Sequence, residues 1–320
     1  MKKTLVALAV MAVAGSANAG IELYKKDAVS VTMGGDIEVV YKKGLKDGSE
    51  LQQEIQDADV SFDVRYAVND QVQFGGFWEF QDLGDNKGDA YVAAYAGAHT
   101  FKVGKLCTSL DDAGIGSDYQ FGLETFFSES EVYCDKEVMR YDFDSGDFYA
   151  TAALRQFRLS EDLNKDSKYY DGRIGYRGLK DFDFTAFVGS ADLVTHDETL
   201  WSLQARYNGV ENLGLAAAYY SMDNDTVTND TVTTSTIAFA ATYKLDVVKL
   251  AAGVAVSDSD AAGAKDVTGW YVNAGYPLAP NATLYAEVGA NDAYSNVGTE
   301  QAPVMKQNGT GFAFGVKASF

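Results

Sequence analysis

Apolar and polar positions alternate with a period of two along most of this 320-residue chain. The pattern is plainest at its end. From Thr310 onward, Phe312, Phe314, Val316, Ala318 and Phe320 fall on one face, and Ala313, Gly315, Lys317 and Ser319 on the other. Such a period marks a strand with one apolar face. The same alternation recurs upstream: Val31, Met33, Ile37 and Val39 oppose Thr32, Gly34, Asp36 and Glu38, and Val60, Phe62, Val64 and Tyr66 oppose Asp59, Ser61, Asp63 and Arg65. Met139, Tyr141 and Phe143 oppose Val138, Arg140 and Asp142; Trp201, Leu203, Ala205 and Tyr207 oppose Ser202, Gln204 and Arg206. In all, the pattern predicts sixteen strands. Short turns such as Asn69-Asp70 and Asp144-Ser145-Gly146 alternate with longer polar loops, among them residues 42–56, 157–168, 222–234 and 291–308.

Two features separate this pattern from that of a water-soluble sandwich. The polar faces carry many acids, which a wet interior tolerates and a packed one does not. Aromatic residues also cluster near strand ends on the apolar face (Tyr41, Tyr66, Tyr176, Tyr207, Tyr243 and Tyr276), as in girdles at the two membrane interfaces. An even strand count, outward aromatics and loops that are short on one side and long on the other predict an all-β fold. It is a transmembrane antiparallel β-barrel of sixteen strands, wide enough to leave an aqueous channel.

The start of the chain agrees. Met1-Lys2-Lys3 is followed by an apolar run from Leu5 to Ala14 and by small residues at Ala17 and Ala19. This reads as a secretory signal peptide, residues 1–19, too short to span a bilayer as a helix. Residues 20–320 then form a single barrel domain, because no linker or shift in composition divides them. The formal net charge of −20 excludes a nucleic-acid partner, which would need basic surface.

One stretch departs from the alternation. Residues 106–133 are long, lack sustained periodicity and lie between the fifth and sixth predicted strands. The opening V-S-V-T-M-G-G-D-I-E-V-V-Y, the V-M-R-Y-D-F strand and the terminal Phe320 resemble the general porins of Gram-negative outer membranes, in the variety of marine gamma-proteobacteria. That resemblance covers essentially the whole mature chain. It implies a homotrimer of sixteen-stranded barrels whose third loop folds into the lumen and narrows it, with Phe320 serving assembly. It also implies outer-membrane lipid and lipopolysaccharide as surroundings, and small hydrophilic solutes and ions as cargo. The family's constriction signature, P-E-F-G-G-D, is matched by Y-Q-F-G-L-E: Phe121 and Gly122 are kept, Glu124 stands for the Asp, and Gln120 replaces the Glu. Asp111, Asp112 and Asp118 are further candidates for pore charge, since acids in a narrow pore raise the local concentration of cations. On the opposite wall, positions expected to carry a basic ladder hold Asp36, Asp59 and Val92. The remaining wall cations are Arg65, Lys102, Arg140, Arg173 and Lys317, so the expected pore leans negative.

Cys107 and Cys134 flank the third loop. An even count in an oxidising compartment favours a bridge that would staple the loop's base, with two buried thiols as the alternative. The two histidines, His99 at a turn and His196 in an outer loop, lack the partners of a triad or a metal site, and the acids of the outer loops miss calcium-loop spacing. No cofactor, no metal and no enzymatic reaction is expected. Two rival readings are a sugar-specific channel using Phe77, Tyr149, Tyr271 and Tyr285 as a stair of lumen aromatics, and a barrel used for adhesion or phage reception.

Overall fold

The first long strand is broken in two by Gly35. β2 (Val29–Gly34) and β3 (Asp36–Lys43) lie end to end and pair antiparallel with β4 (Gln52–Ala67). Two different segments share the opposite edge. β20 (Thr310–Ser319) runs along β3, with Ser319 opposite Asp36, and Phe320 exchanges backbone hydrogen bonds with Gly35 at 3.1 and 3.0 Å. Beyond Phe320, β1 (Ile21–Lys26) takes over against β2, with Ile21 opposite Met33. The other edge of β20 pairs with β17 (Ala282–Asn291), and this contact closes the sheet. A closed sheet leaves no row of unpaired backbone groups to face lipid, where each would be costly.

The rest of the wall is built by neighbours in sequence: β5 (Val72–Gln81), β6 (Ala90–Ala96), β7 (His99–Cys107), β8 (Cys134–Asp144), β9 (Phe148–Gln156) and β10 (Lys168–Tyr176). β11 (Phe182–Asp192), β12 (His196–Val210), β13 (Leu213–Thr226), β14 (Thr231–Leu245), β15 (Val248–Ser259) and β16 (Val267–Ala279) complete it. With β2 and β3 counted as one, this is a closed antiparallel barrel of sixteen strands. The computed structural model describes residues 20–81, 88–123, 133–158, 167–193, 196–226, 231–299 and 302–320, with no helix among them long and apolar enough to cross a membrane. Residues 1–19, the expected signal peptide, lie outside this set, as does Glu124.

Outward positions are apolar and exposed, as Phe80, Ile174, Val188 and Val272 illustrate. Wall height is uneven. β12, β13 and β14 have 15, 14 and 15 residues, whereas β5, β6 and β7 have 10, 7 and 9. The inward face is also divided. From β10 to β15 it is lined by a buried cluster that includes Tyr169, Phe187, Leu200 and Tyr220, with inward alanines Ala218, Ala238, Ala240 and Ala255. Into this cluster pack Leu110, Ala113 and Ile115 from the segment after β7. Burial of an aliphatic side chain of this size contributes about 1.5–3 kcal/mol, so this side of the barrel interior is a packed core.

Strand boundaries differ from expectation where polar residues continue a strand. The first loop spans only residues 44–51, because β4 begins at Gln52; β13 and β14 run into the Asp/Asn/Thr stretch taken for loop. Leu106 and Cys107 belong to β7, so the third loop begins at Thr108. The final loop contains a small hairpin of β18 (Tyr294–Asn296) and β19 (Met305–Gln307). Ladder pairing outside the membrane needs no apolar face, and the alternation that signals a strand fades there.

Candidate pore lining

Residues 108–123 are fastened to inward-facing side chains on two sides of the barrel. At the start, Asp171 on β10 accepts three hydrogen bonds: from the Thr108 hydroxyl at 2.6 Å, from Ser109 N–H at 3.1 Å and from Leu110 N–H at 2.8 Å. A short 3-10 turn, Ser109–Asp112, follows. A carboxylate facing the free N–H groups at the start of such a turn satisfies them and complements their partial charge. The carbonyl of Ala113 accepts from Gln204 Nε2 at 2.7 Å and from the Tyr220 hydroxyl at 2.9 Å.

At the far end a second wall acid repeats the device. Glu287 on β17 is buried and accepts backbone hydrogen bonds from Tyr119 at 2.6 Å, Gln120 at 2.9 Å and Phe121 at 2.7 Å, with Asn273 Nδ2 donating at 2.9 Å. Ser117 N–H donates to the Tyr271 hydroxyl at 2.6 Å, and the Tyr119 ring stacks on Tyr285 with centroids 4.1 Å apart. Phe121 lies over Gly289 and Gly311. A Cβ on either glycine would come within 2.6–2.7 Å of the Phe121 side chain, so both positions must lack one. Gly122 then turns the chain with φ +60°, a conformation that favours glycine.

This geometry sorts the residues singled out from the sequence. Gln120 and Phe121 are turned to the wall. Gln120 Nε2 donates to Glu38 Oε1 at 2.8 Å and to the Tyr285 hydroxyl at 3.1 Å. A glutamate at position 120 would set a second negative charge against Glu38, which explains the departure from the signature at this position. Asp112 is neutralised: its Oδ2 lies 2.7 Å from Arg140 Nη2 and 3.0 Å from Arg173 Nη2. Asp111 and Asp118 are exposed and make no ion pair among the described residues. Desolvation inside the barrel holds both carboxyls above their ordinary value of 3.8, with the charge of Asp112 adding to it at Asp111 and that of Glu287 at Asp118.

On the wall, Arg65 is held by Asp63 at 2.7 Å, and Arg140 also pairs with Asp142 at 3.0 Å. Lys317 sits 2.8 Å from Asp36 and 3.8 Å from Glu38. Asp59 Oδ1 accepts from the backbone N–H of Asp36 at 2.9 Å. Val92, expected among the ladder positions, faces outward and is 63% exposed, because the inward positions of β6 are Tyr91, Ala93 and Tyr95. The stair of aromatics is broken as well: Tyr271 and Tyr285 are fully buried beneath the loop segment, and Tyr149 is bonded to Asp183 with Arg177 over its ring. Cys107 and Cys134 are register partners at the loop's base and are joined by a disulfide. His99 sits at the short-turn rim beside Tyr141, and His196 Nε2 lies 2.8 Å from Glu198 Oε1.

Asp171 and Glu287, the two acids that hold the loop, were not singled out in the sequence. Their only signal is position: each is a carboxylate on the inward parity of a strand, between tyrosines and small residues.

A closed, apolar-jacketed barrel with a charged interior and a chain segment fastened inside defines a channel protein of the outer membrane. The chain matches the family of Gram-negative porins over residues 4–295 and belongs to that family. It is 29% identical over 315 residues to porin-like protein H of Photobacterium profundum, covering 91% of this chain and 95% of that one. Among solved structures it is similar to OmpT of Vibrio cholerae in its trimer form (TM-score 0.75, 21% identity, 92% of this chain and 100% of that one). It is also similar to an anion-selective porin of Comamonas acidovorans (TM-score 0.72, 15% identity, 91% and 100%). The protein resides in the outer membrane.

Proposed function

We propose that the protein is a general diffusion porin: a trimer of water-filled channels that prefer cations, narrowed by the third loop, and passing small hydrophilic solutes down their gradients. One observation carries the reading. Of the wall cations, Arg65, Arg140, Arg173 and Lys317 stand within 3.0 Å of acids and Lys102 stands 3.9 Å from one, whereas Asp111 and Asp118 on the fastened segment stand unpaired among the described residues. Unneutralised carboxylates in a low-dielectric passage attract cations and repel anions. Passage of solutes needs no reaction.

Wall height supports the trimer. A membrane-crossing strand needs about 9–11 residues, and β6 has 7. At β6 the wall is therefore too low to meet lipid over its whole height, and subunit contact there covers it, as suits a protein similar to a trimeric outer-membrane protein. The taller β11–β16 side meets lipid.

The test is the reversal potential of the purified protein in a planar bilayer under a salt gradient. A cation preference that falls in the double variant Asp111→Asn, Asp118→Asn supports the reading. An anion-preferring pore, or one unmoved by the double variant, overturns it.

A further inference from the structure

Among the described residues, Lys102 is an inward cation that its neighbours do not neutralise closely. Lys102 on β7 faces inward, as register partner of Ala93 on one side and Arg140 on the other. Among the described residues the acid paired with it is Asp142, at 3.9 Å, with Asp89 also near enough to interact, and the Asp142 carboxylate already accepts from Arg140 Nε and from the Thr151 hydroxyl at 2.9 Å. Arg140 and Arg65, in contrast, lie at 2.7 Å from their acids. The Lys102 ammonium instead stands 5.4 Å from the centroid of the Tyr91 ring. Tyr91 is stacked on Phe77, centroids 5.2 Å apart and planes 19° apart, and both residues are partly exposed on the inward face. The hydrogen bonds and ion pairs of the described loop segment go to β3, β8, β10, β12, β13, β16 and β17, reaching Arg140 beside Lys102 but neither Tyr91 nor Phe77.

We infer that Lys102, Tyr91 and Phe77 form a solute-binding subsite in the channel for small anions that carry a ring, the ring lying against the aromatic pair and the carboxylate or phosphate on the ammonium. A flat or C–H-rich ring face gains contact with aromatic side chains, and a positive group beside the ring secures the charge. The site has a physical purpose in an acidic pore. Anions are disfavoured on entry, so a contact that holds a ring-bearing anion lets it pass where a bare anion is repelled. This inference rests on the channel reading above and names a solute class for it.

The experiment uses purified protein in planar bilayers, with benzoate and glucuronate as probes, and acetate (charge without a ring) and glucose (ring without charge) as controls. Benzoate or glucuronate is expected to interrupt the open-channel current at concentrations where acetate and glucose do not. Interruption by benzoate alone assigns the site to aromatic acids, and by glucuronate alone to sugar acids. Lys102→Gln and Tyr91→Leu should each raise the half-blocking concentration by about tenfold, and Lys102→Arg should retain the block. Equal interruption by acetate, equal interruption in Lys102→Gln, or none in a conducting channel overturns the subsite and leaves the channel standing. Folded protein that does not conduct overturns the channel reading itself.

Discussion

Glu287 is the side chain on which the position of the third loop depends most. It is 1% exposed and accepts three consecutive backbone N–H groups together with Asn273 Nδ2. Glu287→Ala removes the charged acceptor from all four donors at once. Hydrogen bonds to charged groups contribute about 1.5–3 kcal/mol each, and lumen water can replace part of that. We expect a net loss of about 3 kcal/mol in the attachment of residues 117–121, which corresponds to a shift of roughly a hundredfold toward the detached loop. Glu287→Gln keeps one carbonyl acceptor and should lose about half as much. Glu287 lies on the closing seam opposite Ala313, but its side chain points into the lumen and both changes leave the backbone ladder and the outer face as they are, so barrel assembly should survive, as heat-modified gel mobility will report. The assay is single-channel recording together with limited proteolysis of the loop. Detachment should appear as a noisier and altered open current, and as faster cleavage within residues 108–133, in the order alanine, glutamine, parent. Quiet channels of parental conductance in Glu287→Ala, with unchanged cleavage, would refute the clamp.

Other outcomes follow from the same geometry. Gln120→Glu should loosen the loop by setting a carboxylate against Glu38, with added current noise as the readout and parental noise as the contrary result. Bridging Cys107 to Cys134, 27 positions apart, should be worth about 3–4 kcal/mol in the chain-entropy model. Thiol labelling should therefore fail without reductant, and Cys107→Ser with Cys134→Ser should unfold at lower urea; ready labelling of untreated protein would contradict this. Asp111 and Asp118, whose carboxyls are raised above 3.8, take up protons sooner as pH falls than a free carboxylate does. Cation preference should thus be full at neutral pH and decline as pH drops through those raised values. A selectivity curve with its midpoint at or below 3.8 would count against it.

The barrel was legible because its constraint is local. Trp201, Leu203, Ala205 and Tyr207 face outward while Ser202 and Gln204 face inward, and two neighbours in sequence suffice to reveal that. β1 escaped notice because its six residues, all exposed, sit beside a bulge at Glu22/Tyr24 that breaks the alternation. The loop's base was legible through its cysteines. Its seat was not: Tyr119 meets Glu287 across 168 positions and Leu110 meets Asp171 across 61, through backbone N–H groups that every residue other than proline possesses. Nothing in the letters of residues 117–121 marks which of them will be held. The pairing of Asp112 with Arg140 and Arg173 was hidden for the same reason, since it depends on where the turn at Ser109–Asp112 comes to rest.

Because Asp171 and Glu287 grip main chain, the hold is largely indifferent to which side chains the gripped residues carry. Acids and amides at the exposed positions of this segment can be exchanged over generations without dislodging it. The barrel thereby separates what seats the segment from what the segment presents to the lumen, and the second can change one residue at a time while the first stays in place.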